Sequence, residues 1–133
     1  MKKRKVDVVI VGTGGSGLFH ALNLPEDKQI LMLTKADLES SDSFLAQGGI
    51  CVMRDETDYD SYFEDTMKAG HYENRKESVD IMIRSSREII DDLVSYGVDF
   101  EKKNGEFCYT REGAHSKPRI LFHEDITGKE ITS

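Results

Sequence analysis

Two stretches of this chain hold residues whose types and spacing could do chemistry. The first is Gly12-Thr13-Gly14-Gly15-Ser16-Gly17, a G-x-G-x-x-G pattern that directly follows the apolar, β-branched run Val6-Asp7-Val8-Val9-Ile10-Val11. In that position each glycine has a use: Gly12 for a tight turn off a strand, Gly14 so that backbone can approach a pyrophosphate, and Gly17 so that a helix can pack close to a sheet. The first N–H groups of the helix that follows have no partners of their own and would receive the phosphates. The chemistry is dinucleotide binding; the other reading is a glycine-rich turn without a ligand.

The second stretch is Thr110-Arg111-Glu112-Gly113-Ala114-His115-Ser116, which gathers a guanidinium, a carboxylate, an imidazole and hydroxyls around a flexible Gly-Ala. Arg111 could fork onto an acid, Glu112 could hold an ammonium, and His115 could donate a hydrogen bond or a proton, so the set suits carboxylate chemistry. A polar surface loop whose charges pair with one another accounts for it equally. Between the two stretches, Gln47-Gly48-Gly49 sets an amide beside two flexible residues. That suits backbone lying against a flat ring with polar edges, and it also suits a surface turn before a strand at Ile50 to Met53.

The elements that must position these residues follow from periodicity. Strand one is predicted at Val6 to Val11, a helix at Gly15 to Leu24 stopped by Pro25, and a second apolar strand at Ile30 to Leu33, which becomes the parallel partner of the first in a right-handed βαβ unit. The fold class is α/β. Where an acidic residue is expected to meet the adenosine ribose stands Lys35, a cation that could meet a 2′-phosphate, so an NADP-binding module is an alternative. Farther on, Asp58 is a predicted N-cap for a helix with Tyr62, Phe63, Thr66, Met67 and Gly70 on one face. Asn74 and Glu77 form most of a capping box for a second helix, whose buried face is Val79, Met82, Ile83, Ile90, Leu93 and Val94 and which Gly97 closes. Its charges, among them Asp80, Arg84, Arg87, Glu88 and Asp91, read as a solvated face. A hairpin is predicted around Asn104-Gly105, with arms at Asp99 to Lys103 and Glu106 to Thr110.

Composition limits what the site can do. The 133 residues suffice for one ordinary domain, and nothing in the chain marks a boundary within them. A net charge of −7 without a basic stripe argues against nucleic acid. No apolar run approaches the roughly 20 residues of a membrane span, and the start Lys2-Lys3-Arg4-Lys5 reads as a solvated end. Cys51 and Cys108 read as buried, reduced thiols of a cytoplasmic protein, and the four histidines show no ligand spacing, so no metal is expected.

These residues also carry a resemblance. The G-T-G-G-S-G at Gly12 to Gly17, the S-F-L-A-Q-G-G-I from Ser43 to Ile50, the D-E-T-D at Asp55 to Asp58, and T-R-E-G-A-H-S followed by R-I-L-F-H at Arg119 to His123 together resemble the start of the L-aspartate oxidases, a branch of the succinate dehydrogenase/fumarate reductase flavoprotein family. The likeness covers all 133 residues. It implies a Rossmann-like, glutathione-reductase-like FAD-binding domain, of which residues 1–133 would be the N-terminal portion, cut short and inactive alone. Gly12, Thr13, Gly14, Gly15, Ser16 and Gly17 would line the FAD pyrophosphate, with Lys35 by the adenosine end. Asp42, Ser43, Phe44, Leu45, Ala46, Gln47, Gly48 and Gly49 would wrap the flavin and its diphosphate.

In membrane-bound members of that family a histidine five residues before the A-Q-G-G glutamine bonds covalently to the flavin. Asp42 stands there, so the resemblance implies non-covalent FAD. Glu112 matches the acidic residue that orients the substrate's amino group, with Arg111 and His115 as support, and the pattern has a second glycine where this chain carries Ala114. The implied reaction is oxidation of L-aspartate to iminoaspartate, with oxygen or fumarate as acceptor, at the start of NAD synthesis; quinolinate synthase is an implied partner. A portion of a fumarate reductase or succinate dehydrogenase, and an NAD(P)-binding module without chemistry, are the alternatives.

Overall fold

The computed structural model describes residues 4–133, so Lys2 and Lys3 of the basic start lie outside the described residues. Arg4 and Lys5 are exposed. Although the sequence marks no boundary, the chain divides into two compact units, one running to Gln47 and taking in Gly128–Ser133, the other spanning Gly48–Thr127.

In the first unit, β1 (Val8–Val11) and β2 (Ile30–Leu33) pair in parallel, with Val8 opposite Ile30 and Val11 opposite Leu33. Between them in sequence runs α1 (Gly15–Leu22), which makes the predicted βαβ unit. β1 starts two residues later than predicted, because Asp7 is used for closing the strand pair: its N–H donates to the Gln29 carbonyl at 2.9 Å and its Oδ2 accepts the Gln29 N–H at 2.9 Å. α1 stops two residues early. Asn23 turns its side-chain amide onto the Phe19 carbonyl at 2.9 Å, and Leu24, preceding Pro25, is disfavoured in a helix. The polar stretch after β2 holds a 3₁₀ turn, Leu38–Ser40, and a short helix α2 (Asp42–Leu45), capped by Ser41 Oγ accepting the Phe44 N–H at 3.1 Å. Gly128, in α5 (Thr127–Thr132), donates its N–H to the Ala46 carbonyl at 2.9 Å, and a Cβ there would lie 2.1 Å from the Ser43 carbonyl oxygen.

The second unit is built on two helices, α3 (Tyr59–Ala69) and α4 (Lys76–Ser95). On α4, Val79, Ile83, Ser86, Ile90 and Leu93 are buried at helical spacing. Val79 and Ile83 join Met53, Tyr62 and Met67 in one core cluster, each side chain worth roughly 1.5–3 kcal/mol of burial. Met82, predicted to be buried, is 45% exposed, since the buried stripe takes Ser86 in its place. That serine has its own work: Oγ donates to the Ile83 carbonyl at 2.6 Å and accepts the Met53 N–H at 2.9 Å, so its buried hydroxyl and the Met53 amide are both paired. At the end of α4, Gly97 takes φ +105°, its N–H and that of Val98 returning to the carbonyls of Val94 and Leu93, as predicted for a glycine stop.

Both predicted N-caps fail. Asp55 performs the capping, its Oδ1 accepting the Thr57 N–H at 2.8 Å ahead of a 3₁₀ turn, Glu56–Asp58, while Asp58 is drawn inward by an arginine described below. Asn74 points back at α3 and donates Nδ2 to the Thr66 carbonyl at 3.3 Å, which leaves α4 without a side-chain cap.

The strand predicted at Ile50 to Met53 is β3 (Ile50–Cys51), antiparallel to β6 (Ile120–Leu121), with one further bond from the Val52 N–H to the Arg119 carbonyl. The hairpin is shorter than predicted, with β4 (Lys102–Lys103) and β5 (Glu106–Phe107) as its arms. Asn104 at φ 56° and Gly105 at φ 85° form its turn, the left-handed pair that a two-residue hairpin requires.

Candidate functional site

In the first unit the carboxyl ends of β1 and β2 open onto a cavity of about 680 Å³. Gly12, Thr13 and Gly14 line one part of it, Lys35 another, and Asp42 and Ser43 a third. Ligands of open α/β sheets bind at this end of the strands. The Gly12 N–H closes the loop onto the Leu33 carbonyl at 2.8 Å, and its φ of +114° is a backbone state open to glycine. Gly17 is required for space, because a Cβ would stand 2.3 Å from the Gly12 carbonyl oxygen. Gly15 and Ser16 begin α1, as the fingerprint demands. These features fit a bound diphosphate: an open cradle walled by backbone, a helix start and a cation. Phe44 and Leu45 lie on α2, while Ala46 and Gln47 are exposed.

In the second unit Glu112 reaches back to the glycine pair. Its Oε1 accepts the Gly49 N–H at 3.3 Å, and its Oε2 would lie 3.4 Å from a Cβ on Gly48. Gly49 has no room for any side chain, a Cβ being 2.1 Å from the Leu121 carbonyl oxygen and 2.4 Å from Ile120 Cγ2. The two predicted groups, the glycine pair and the Glu112 loop, are thus one place in this unit. Ala114 holds φ 68°, the conformation that a glycine adopts freely. Arg111 stays exposed.

His115 is held at both ring nitrogens: Nε2 lies 3.2 Å from Cys51 Sγ and Nδ1 lies 3.1 Å from Arg119 Nη1. Arg119 itself is wholly buried. It donates to Asp58 from Nε at 3.1 Å and from Nη2 at 2.7 Å, to Ser61 Oγ at 3.0 Å, and to Asp65 Oδ2 at 2.6 Å. The same Asp65 oxygen accepts the N–H and hydroxyl of Ser116, both at 2.7 Å. Tyr62 lies under the Arg119 guanidinium, 4.9 Å from ring centre to Cζ, and edge-on to His115.

Electrostatics follow from that arrangement. Burial works against ionisation of Asp58, but the hydrogen bonds from Arg119 and Ser61 outweigh it and bring its pKa down to about 2. His115 is pushed below the ordinary imidazole range, first by burial and then by the charge of Arg119. Burial, with the charge of Glu112 adding to it, raises the Cys51 thiol, and Tyr62 is raised by burial and by Cys51. Cys51 is therefore a protonated thiol, and both it and Cys108 are half-buried where burial was predicted. An open cavity of about 500 Å³ borders this cluster, lined by Cys51, Tyr62, Met82, Ile89 and His115 among others.

Sequence reasoning missed Arg119, Asp58 and Asp65. Asp58 and Arg119 did fall within the D-E-T-D and R-I-L-F-H segments. The available signal was a charged residue set directly before an apolar run, Arg119 before Ile120-Leu121, where all three prove buried.

A family model described as "FAD binding domain" matches residues 7–133. An L-aspartate oxidase of Clostridium perfringens (strain 13 / Type A) is 46% identical over 129 residues, covering 97% of this chain and 29% of that relative. One of Clostridium acetobutylicum is 44% identical over 128 residues, covering 96% of this chain and 30% of that relative. The chain thus spans less than a third of the length of these curated relatives. Among solved structures, Mycobacterium smegmatis Sdh1 in complex with UQ1 superposes with a TM-score of 0.90 at 26% identity, covering 99% of this chain and 23% of that one. A quinol-fumarate reductase with menaquinol molecules gives 0.89 at 24% identity, over 99% of this chain and 24% of that one, a likeness of fold. Among the described residues no helix is long and apolar enough to cross a membrane.

Proposed function

Because this chain belongs to the FAD binding domain family, we propose that it is the N-terminal portion of the FAD-binding domain of an L-aspartate oxidase, Rossmann-like in topology. In the complete protein it would serve oxidation of L-aspartate to iminoaspartate with oxygen or fumarate as acceptor. A cytoplasmic location and hand-over of product to a quinolinate synthase belong to the same reading. FAD is the cofactor of the family. When bound it would supply the redox chemistry, as acceptor of a hydride from the substrate carbon.

The work of this chain's own residues is to bind and orient. Gly12 to Ser16 and the start of α1 would hold the diphosphate, and Lys35 would stand by the adenosine end. Asp42, Ser43 and the segment to Gly49 would lie along the rest of the cofactor. Asp42 has no imidazole with which to bond a flavin, so the cofactor would be held without a covalent link.

The observation that carries the substrate assignment is Glu112, an exposed carboxylate fixed at the Gly49 N–H beside Gly48. A carboxylate there favours a substrate with an ammonium group and disfavours a plain dicarboxylate such as succinate, whose charge it would repel. The likeness to the L-aspartate oxidases in sequence supports the same choice over a fumarate reductase or succinate dehydrogenase portion.

The test is Glu112→Gln in the complete enzyme. Loss of a charge-assisted contact should cost aspartate oxidation about 1–3 kcal/mol in kcat/KM, while fumarate reduction should fall little or rise. Equal losses on both would mean that Glu112 supports its loop and does not read the amine.

A further inference from the structure

The five N–H donors of the Arg119 guanidinium each have a partner: Asp58 Oδ2 and Oδ1, Ser61 Oγ, Asp65 Oδ2 and His115 Nδ1. A guanidinium can only donate, so His115 Nδ1 must accept. The neutral ring then carries its proton on Nε2, the nitrogen that faces Cys51 Sγ at 3.2 Å. Both ring nitrogens are thereby committed within the protein, and His115 has none left for a substrate.

The same Nη1 that meets His115 also meets Asp65, and Asp65 holds the N–H and hydroxyl of Ser116. Arg119 therefore grips the end of the Glu112 loop at two adjacent residues. Three residues before His115, Glu112 closes the loop onto the Gly49 N–H. Between the two grips Ala114 sits at φ 68°, an unfavourable state for a residue with a Cβ, which the surrounding contacts must hold in place.

We propose that Arg119 is a positioning residue for the substrate-reading loop: it selects the Nε2–H tautomer of His115 and, through Asp65, anchors Ser116, so that Glu112 meets Gly49 in a single conformation. The inference rests on the proposed function only for the importance of Glu112. The charged groups facing the ring are Arg119, Asp65, Glu112 and Asp58, and burial together with Arg119 keeps the imidazole neutral against the three carboxylates. Arg119→Lys keeps the charge but has three donors, too few for all of these partners.

The experiment is nitrogen NMR of the histidine rings in the ¹⁵N-labelled chain, with His115→Gln used to assign the signals. The wild-type protein should show Nδ1 unprotonated and Nε2 protonated at neutral pH. A proton on Nδ1, or a ring protonated at both nitrogens, overturns the proposal. In Arg119→Lys the two tautomers should mix, and hydrogen exchange at the Gly49 amide should quicken about tenfold while the amides of Gly97 and Val98 keep their rates. Should that variant not fold, Asp65→Asn removes the charge that ties Ser116 to Arg119 while leaving the contact of Arg119 with His115 Nδ1; the tautomer should persist and Gly49 exchange should still quicken. An unchanged Gly49 rate in a folded variant overturns the proposal. None of these readings needs flavin or aspartate, so a failed aspartate assay beside them would sink the proposed substrate and leave the positioning role intact.

Discussion

Asp58 and Arg119 stand 61 positions apart in the chain and meet edge to edge, Nε on Oδ2 at 3.1 Å and Nη2 on Oδ1 at 2.7 Å. Their side chains are 3% and 0% exposed. Desolvating two charges so fully is offset only by good geometry and by partners for the remaining donors, which Ser61, Asp65 and His115 provide.

Removing one partner should therefore cost much more than a surface ion pair. Asp58→Asn is expected to destabilise the protein by about 3–5 kcal/mol, because it leaves the buried guanidinium with one carboxylate, Asp65, where it had two. Urea denaturation at pH 7 measures this, and a loss under about 1 kcal/mol would place the pair in the class of exposed salt bridges.

The same carboxylate sets an acid limit. Its folded pKa of about 2 lies below the ordinary 3.8, so the stability it confers is fully present above pH 4 and is lost as pH falls from there through 2. A difference of that size corresponds to about 2 kcal/mol. Asp65 is lowered as well and adds in the same sense. Urea midpoints measured from pH 7 to pH 2.5 should drop steeply below pH 4 in the wild-type protein and more gently in Asp58→Asn.

Adjacent glycines should answer differently to one methyl group. Gly49→Ala would drive a Cβ to 2.1 Å from the Leu121 carbonyl oxygen and split β3 from β6, a loss of more than about 3 kcal/mol or failure to fold. Gly48→Ala meets only the Glu112 carboxylate, at 3.4 Å, which can give way. Its thermal midpoint should fall little, while aspartate oxidation in the complete enzyme should suffer. Equal destabilisation in both variants would mean that the contact of Gly49 with β6 is not what fixes this segment.

Flavin should be released when the complete enzyme is denatured in acid or by heat, since Asp42 offers no imidazole for a covalent bond. Protein precipitated with acid should be colourless and its supernatant yellow; flavin that stays with the polypeptide would contradict the reading. Gly17→Ala, with its Cβ 2.3 Å from the Gly12 carbonyl oxygen, should weaken FAD retention by distorting the cradle, whereas Gly14→Ala meets only the movable Ser43 hydroxyl at 2.9 Å.

What could be read in advance was what local chemistry dictates. The parallel pairing of β1 with β2 follows from two apolar runs separated by a glycine turn and a helix, and the Gly97 stop and the Asn104-Gly105 turn follow from backbone states that few residues adopt. The N-cap at Asp58 was misread because its carboxylate has a partner 61 positions away in Arg119, which spacing does not reveal, and Asn74 instead turns Nδ2 onto the Thr66 carbonyl, leaving its Oδ1 buried without a partner. Arg119 escaped because its five contacts come from two stretches far from it or from each other in sequence, Asp58, Ser61 and Asp65 on one and His115 on the other. Ala114 could have misled, yet it keeps the left-handed turn that a glycine would make, so the loop does not change course.

The strand pair of the first unit has one more consequence, for handling the chain in solution. Val9 is 52% exposed, Val11 84% and Leu33 46%, and among the described residues β1 and β2 pair only with each other. Two uncharged segments, Val-Val-Ile-Val and Ile-Leu-Met-Leu, thus offer free edges and an oily face, the composition from which intermolecular β-assemblies grow. Asp7 just before the first segment, and Lys28 and Lys35 flanking the second, place charges where an incoming strand would have to stack them in register. Colloidal behaviour of this chain should accordingly turn on a few flanking charges, with salt that screens them promoting assembly and neutralisation of Lys28 and Lys35 doing the same.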